Sequence, residues 1–278
     1  MSRALLLAIS VSVLSVAGCK KAPPPEQPPA EQAVPAPAAA TSGLSAEDKA
    51  AIYASIDNID RLPGDMDEDN WRKPSEVLTF LEVKPGQKVV DYLSAGGYYT
   101  ELLSRIVGPT GQVIAYNNPE YLKFSGEKPK QRYGNDRLPN VVQLTSPPEE
   151  APFEPNSLDG ALFVMSYHDL YWKAKDGSWP NTDPAQALAK LVPALKPGAT
   201  VVVLDHVAVA GADPAVSVDA LHRMDPAIIK RDIEAAGLKF DSESKAFAHA
   251  EDDHTKPVFD PAVRHKTDQV LYRFKKPS

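Results

Sequence analysis

The chain has 278 residues, with 30 Lys and Arg against 37 Asp and Glu for a formal charge of −7. That balance leaves no basic footprint for a nucleic-acid partner, and a single cysteine excludes any disulfide within the chain. Hydrophobic residues make up 43% of the sequence, enough for one well-cored domain.

The N-terminus reads as an export signal rather than as part of a fold. Ser2 and Arg3 precede an apolar run from Ala4 to Val16, which exits through Val16-Ala17-Gly18-Cys19. A charged start, a short apolar stretch and a small-residue exit form a secretory signal too short to span a membrane comfortably. Residues 20–42 are rich in Pro and Ala (APPPEQPPAEQAVPAPAAA). Such composition favours extended polyproline II and reads as a semi-rigid tether. The sequence thus divides into a signal peptide at 1–18, a tether at 19–44 and a domain at 45–278.

Ser45-Ala-Glu-Asp48 opens a capping box, so a helix is predicted over 46–56, and Pro74 starts another over Lys73–Leu81. Strands follow at Lys88–Leu93, Gln112–Asn117, Val141–Leu144, Leu158–Val164, Thr200–Asp205, Lys239–Lys245 and Gln269–Phe274. Helices lie between them at Tyr98–Val107, Pro184–Leu195 and Pro226–Ala236. Asp183-Pro184 and Asp225-Pro226 each place an N-cap before a proline at the first helical position. The alternation predicts an α/β fold: a Rossmann-like, doubly wound, mostly parallel seven-stranded sheet. The last two strands, joined without a full helix, predict an antiparallel hairpin at one edge.

The densest signal is Val89–Leu103, VVDYLSAGGYYTELL. An apolar strand ends in an acid, Asp91, and a small-residue turn through Ala95, Gly96 and Gly97 opens a helix. That is the arrangement that holds nucleotide-type ligands, because the turn admits the ligand and the helix start offers free N–H groups.

With GPTGQVIAYN, SLDGALFVMSYHD, LVPALKPGATVVVLDH and AAGLKF, this stretch resembles the class I S-adenosylmethionine-dependent methyltransferases over nearly all of residues 70–278. More narrowly it resembles a group of bacterial, often exported, predicted methyltransferases marked by Gly96-Gly97-Tyr98-Tyr99-Thr100, Tyr167-His168-Asp169, Asp205-His206, His222-Arg223-Met224-Asp225-Pro226 and Asp252–Pro261. The resemblance implies S-adenosylmethionine as methyl donor and a small molecule as acceptor. It implies that Asp91, Ala95, Gly96 and Gly97 hold the donor's methionine end, Asn117 its ribose, and Ser146 the adenine side. Asn117 stands where that superfamily has an acid. Losing such a charge-assisted bond costs about 1–2 kcal/mol, roughly tenfold in affinity. Val-Ala-Gly-Cys19 likewise resembles a bacterial lipoprotein box, implying lipid on Cys19. Lys20 after it implies outer-membrane location, with the domain facing the periplasm.

The same topology gathers polar residues at the strand ends: His168, Asp169, Asp205, His206 and His254, with His222 nearby. Imidazole beside carboxylate can remove a proton from an acceptor, so His168 or His206 is the expected general base, oriented by Asp169 or Asp205. The residue types also suit a divalent metal, although no compact ligand motif is present and no metal is assigned. Tyr98, Tyr99, Tyr167, Tyr171, Trp172 and Trp179 are candidates to line an acceptor pocket, and the loop 173–182 is a candidate lid. The alternative function is a methyltransferase-like ligand-binding lipoprotein without catalysis, suggested by the substituted turn and by a compartment remote from the donor's synthesis.

Overall fold

A computed structural model describes residues 43–179 and 182–278. The signal, Cys19 and nearly all of the tether lie outside the described residues. Seven strands form one sheet in the order β3-β2-β1-β4-β5-β7-β6: β1 (Lys88–Tyr92), β2 (Gln112–Asn117), β3 (Val141–Thr145), β4 (Leu158–Val164), β5 (Leu195–His206), β6 (Lys239–Ser244) and β7 (Gln269–Lys275). Every pair is parallel except those made by β7, which runs antiparallel to β5 and β6. The sequence-derived fold class holds throughout, including the antiparallel β6–β7 pair at one edge.

Alternation along the strands divides the core into two layers. On β5, Val201 and Val203 enter one apolar cluster, while Val202 and Leu204 enter the other. Strands buried on both faces need helices on both. α1 (Ala46–Ile56), α3 (Pro74–Leu81) and α4 (Tyr98–Val107) cover the second face through Ile52, Leu78, Leu102 and Leu103. On the first face, α7 (Pro184–Ala194) contributes Leu188 and Leu191, and α9 (Pro226–Ala235) contributes Ile229 and Ile233. Ser45 closes the expected capping box on α1. Asp183 and Asp225 accept from the backbone N–H groups of Ala185 and Ala227, as their Asp-Pro signals require.

Four α-helices fall outside the sequence reading. α2 (Asp69–Arg72), α5 (Pro119–Phe124), α6 (Lys128–Tyr133) and α8 (Pro214–Leu221) are short, and α5 and α6 fill the connection from β2 to β3. β5 also starts at Leu195 rather than Thr200. Leu195 already pairs with Leu158, and the chain bulges through Gly198 (φ 78°) before regular pairing resumes at Thr200. Strand order reverses on either side of β1, so the carboxyl ends of β1 and β4 mark where a ligand crevice forms.

Candidate functional site

The turn after β1 keeps the backbone of a glycine turn without most of its glycines. Leu93 (φ 55°), Ala95 (φ 49°) and Gly97 (φ 79°) all adopt the left-handed conformation. For Leu93 and Ala95 that conformation costs roughly 1–2 kcal/mol each, so neighbouring bonds must hold it. The Ser94 N–H donates to the Tyr116 carbonyl (3.0 Å) and the Ala95 N–H to the Asn117 Oδ1 (2.9 Å), while Asn117 Nδ2 donates to Ser94 Oγ (3.0 Å). Asn117 is buried and both ends of its amide serve this turn.

The two glycines make room for α6. A Cβ on Gly97 would stand 2.1 Å from the Tyr133 hydroxyl, and one on Gly96 would stand 2.9 Å from Lys128 Cδ. Arg132 Nε donates to the Gly96 carbonyl (2.5 Å), and the same guanidinium pairs with Asp65 (2.7 Å) and Glu101 (2.5 Å). Glu101 is fully buried and also meets Arg105 and Arg137. A network of buried charges thus clamps α6 and the start of α4 around the turn.

In front of the turn lies a cleft of about 330 Å³, walled by Asp91, Ser94, Ala95, Gly96, Gly97, Tyr98, Tyr99, Arg72 and Lys128 among others. Asp91 is buried and accepts from Thr100 Oγ1 (2.6 Å); burial nonetheless pushes its pKa up to about 6. Asn117 and Ser146 do not line this cleft. The Ser146 hydroxyl is buried without a hydrogen-bond partner, and its carbonyl accepts from Tyr116.

The strand-end histidines form a second, more apolar pocket of about 330 Å³. Its walls are Tyr121, Phe124, Met165, His168, Asp169, Trp172, Trp179, His206, His222, Val258 and Phe259. Tyr121, Phe124 and Met165 also border the first cleft, so the two adjoin. His168 is buried, its Nδ1 is 2.7 Å from Asp205 Oδ1, and its Nε2 is 3.5 Å from Asp169 Oδ1. Burial alone would lower its pKa, but the two carboxylates outweigh that and hold it up at about 9. His168 therefore carries a proton on both nitrogens at neutral pH. Burial opposes the charge on Asp205 too, yet His168 and the backbone N–H groups of His168 and His206 keep its pKa below the usual carboxylate range.

His206 sits beside Thr267 (2.8 Å) and Gln269 (3.2 Å), and burial drives its pKa down to about 3. His222 is neutral for the same reason, with a pKa of about 4. Asp169 is pushed up to about 6 by burial, against the lowering effect of His168.

The expected residues thus separate into groups. His168, Asp169 and His206 line the aromatic pocket, and Asp205 supports them from behind. His254 does not line it: its Nε2 meets Asp268 (3.1 Å), beside the buried Arg223–Asp252 pair (2.7 Å). Trp172 and Trp179 line the pocket, whereas Tyr98 and Tyr99 border the first cleft. Tyr167 packs in the core and Tyr171 in a separate groove beside α7. Lys128 and Tyr121 were invisible to sequence reasoning because the helices bearing them were not foreseen. Of the candidate lid, Pro180 and Asn181 lie outside the described residues. Among the described residues no group of three or more His, Cys, Asp or Glu is placed to hold a metal ion.

The strand order, the single antiparallel strand and a cleft at the end of β1 define a Rossmann-like methyltransferase fold. The chain shares it with a SAM-dependent methyltransferase from Aquifex aeolicus, at a TM-score of 0.53 and 19% identity over 81% of this chain and 97% of that one. It shares it equally with the [4+2]-cyclase SpnF, at a TM-score of 0.53 and 14% identity over 74% of this chain and 80% of that one.

Part of the sequence is also similar to curated methyltransferases. The ubiquinone/menaquinone biosynthesis C-methyltransferase UbiE of Psychromonas ingrahamii is 32% identical over 124 residues, 44% of each chain. The demethylmenaquinone methyltransferase of Staphylococcus carnosus is 26% identical over 155 residues, 55% of this chain and 56% of that protein. The match spans about half the length of these curated relatives. No protein-family model matches the chain.

Proposed function

We propose that the chain is an S-adenosylmethionine-dependent methyltransferase acting on a small molecule, held at the outer membrane and facing the periplasm through lipid on Cys19. The observation that carries the reading is the methyltransferase strand order with Asp91 at the end of β1, opening on a cleft that adjoins an aromatic pocket. The methionine half of the donor fits what the first cleft offers. Asp91 faces an ammonium, and Lys128, which has no ion-pair partner among the described residues, suits a carboxylate. The ribose half fits less well, since the Asn117 amide is already taken by Ser94 and Ala95. When bound, the donor supplies an electrophilic methyl group.

In this reading the acceptor occupies the aromatic pocket. His168, already protonated, does not take the acceptor's proton. That role falls to Asp169, whose pKa near 6 suits a base working close to neutrality. Asp205 positions His168, and His206 completes the wall. His254 supports the loop that carries Val258 and Phe259.

Helix α6 pressed on Gly96 and Gly97 favours a second reading, a methyltransferase-like binding protein that no longer holds the donor. Calorimetry of the purified chain with S-adenosylmethionine and S-adenosylhomocysteine separates the two. Saturable heat with both is expected, and no binding at millimolar ligand overturns the first reading. Cys19→Ser is expected to move the protein from the membrane to the soluble fraction. A variant that stays membrane-bound refutes the lipid anchor.

A further inference from the structure

The aromatic pocket is built for a charge that the protein itself does not supply. Six rings form an unbroken series around it: Phe124, Tyr121, Trp179, Trp172, His222 and Phe259, with successive centroids 6.5, 5.5, 4.8, 5.9 and 4.9 Å apart. Elsewhere in the molecule, Arg and Lys side chains sit over ring faces of Trp71, Phe80, Tyr98, Phe240 and Phe247. Among the described residues none sits over a ring of this pocket.

The second observation is the Asp169 carboxylate. Asp169 is 8% exposed and lines the pocket, and among the described residues no Lys or Arg pairs with its carboxylate. Its nearest cation, His168 Nε2, stands at 3.5 Å, and that imidazole is already committed to Asp205 at 2.7 Å. The Tyr121 hydroxyl favours the charged form of Asp169 by hydrogen bonding to it but brings no positive charge. His206 and His222 are neutral. Two carboxylates therefore share one imidazolium, leaving one uncompensated negative charge in a buried, ring-lined space. Such a charge is costly unless a partner arrives, and ring faces around it attract cations. The pocket is accessible from outside, with Phe124 and Phe259 largely exposed at its border.

We propose that the aromatic pocket is a binding site for a small organic cation, an amine or quaternary ammonium compound, seated against the ring faces with its charge on the Asp169 carboxylate. This goes beyond the methyl transfer proposed above, because it concerns what the pocket holds, whether that molecule is methylated or only bound.

Two of the chain's three tryptophans line the pocket, so fluorescence of the full chain reads its occupancy directly. The probes are choline and its neutral isostere 3,3-dimethylbutan-1-ol, titrated without any methyl donor. Failure of methyl transfer therefore leaves this result untouched. Choline is expected to change the emission saturably and to bind about tenfold or more tightly than the alcohol. Asp169→Asn is expected to remove most of that preference while near-ultraviolet circular dichroism stays native. Equal binding of the two probes overturns the proposal, as does no saturable change with choline or a folded Asp169→Asn variant that keeps the preference. Should Asp169→Asn fail to fold, the probe pair on the unaltered chain still decides.

Discussion

The two halves of the cleft are made from similar residue types but stand in opposite states. Around the turn after β1, the polar groups are largely satisfied within the protein. Asn117 closes the loop, Arg132 reaches the Gly96 carbonyl, Thr100 donates to Asp91, and Glu101 gathers three guanidinium groups. Around the aromatic pocket, among the described residues, Asp169 has no Lys or Arg partner and the ring faces carry no cation. A region satisfied from within holds shape. A region with unmet valences holds ligands. Substitutions should therefore cost stability on the turn side and recognition on the ring side.

The largest test of that contrast is Arg132→Ala. It strands the buried carboxylate of Asp65, removes one of the three guanidinium partners of Glu101, and should cost about 3–5 kcal/mol of unfolding free energy by denaturant titration. A loss below 1 kcal/mol would show that the clamp is ornamental. Next in size, Gly97→Ala pushes a methyl group into the Tyr133 hydroxyl at a residue with φ 79°, for an expected loss of about 2–3 kcal/mol. Unchanged thermal stability would mean that α6 is not seated on the turn.

A gentler effect comes from pH. The folded-state pKa of His168 lies above its ordinary value, so its stabilising contribution is complete below about pH 6.5 and disappears as pH rises through about 9. His168→Gln should flatten the fall in stability across that window. Asp91 and Asp169 act in a lower range. Their raised pKa values mean that the folded state holds protons more tightly, so stability falls as pH rises from about 4 to about 6. Asp169→Asn should remove part of that slope. The smallest effect carries the opposite sign: Ala95→Gly relieves a left-handed alanine and should stabilise by up to about 1 kcal/mol, visible as a small rise in Tm. A destabilised Ala95→Gly would mean that the methyl group packs usefully against the cleft.

The strands were legible because buried parallel strands are short apolar runs with little competition from other patterns, as in Val89–Asp91 or Val201–Leu204. Helices α5 and α6 were not. Each is six residues long, opens beside a proline and carries too few apolar positions to set a period. Helix α8 did carry a signal, since Asp213-Pro214 repeats the Asp-Pro start read correctly at Asp183 and Asp225. In the candidate site, the turn and the histidine rim were legible as motifs. What Asn117 and Lys128 do was not, because one depends on a hydrogen-bond partner and the other on a helix that only the folded chain brings across. His222 stood in a noted motif, and its place in the ring series rests on a left-handed backbone (φ 53°) that no spacing rule reveals.

The position of β7 has a consequence for how the chain is made. It follows β6 in sequence, yet it lies between β5 and β6 in the sheet. β6 therefore reaches the sheet only through β7, and that half of the sheet closes only after β7 has been made.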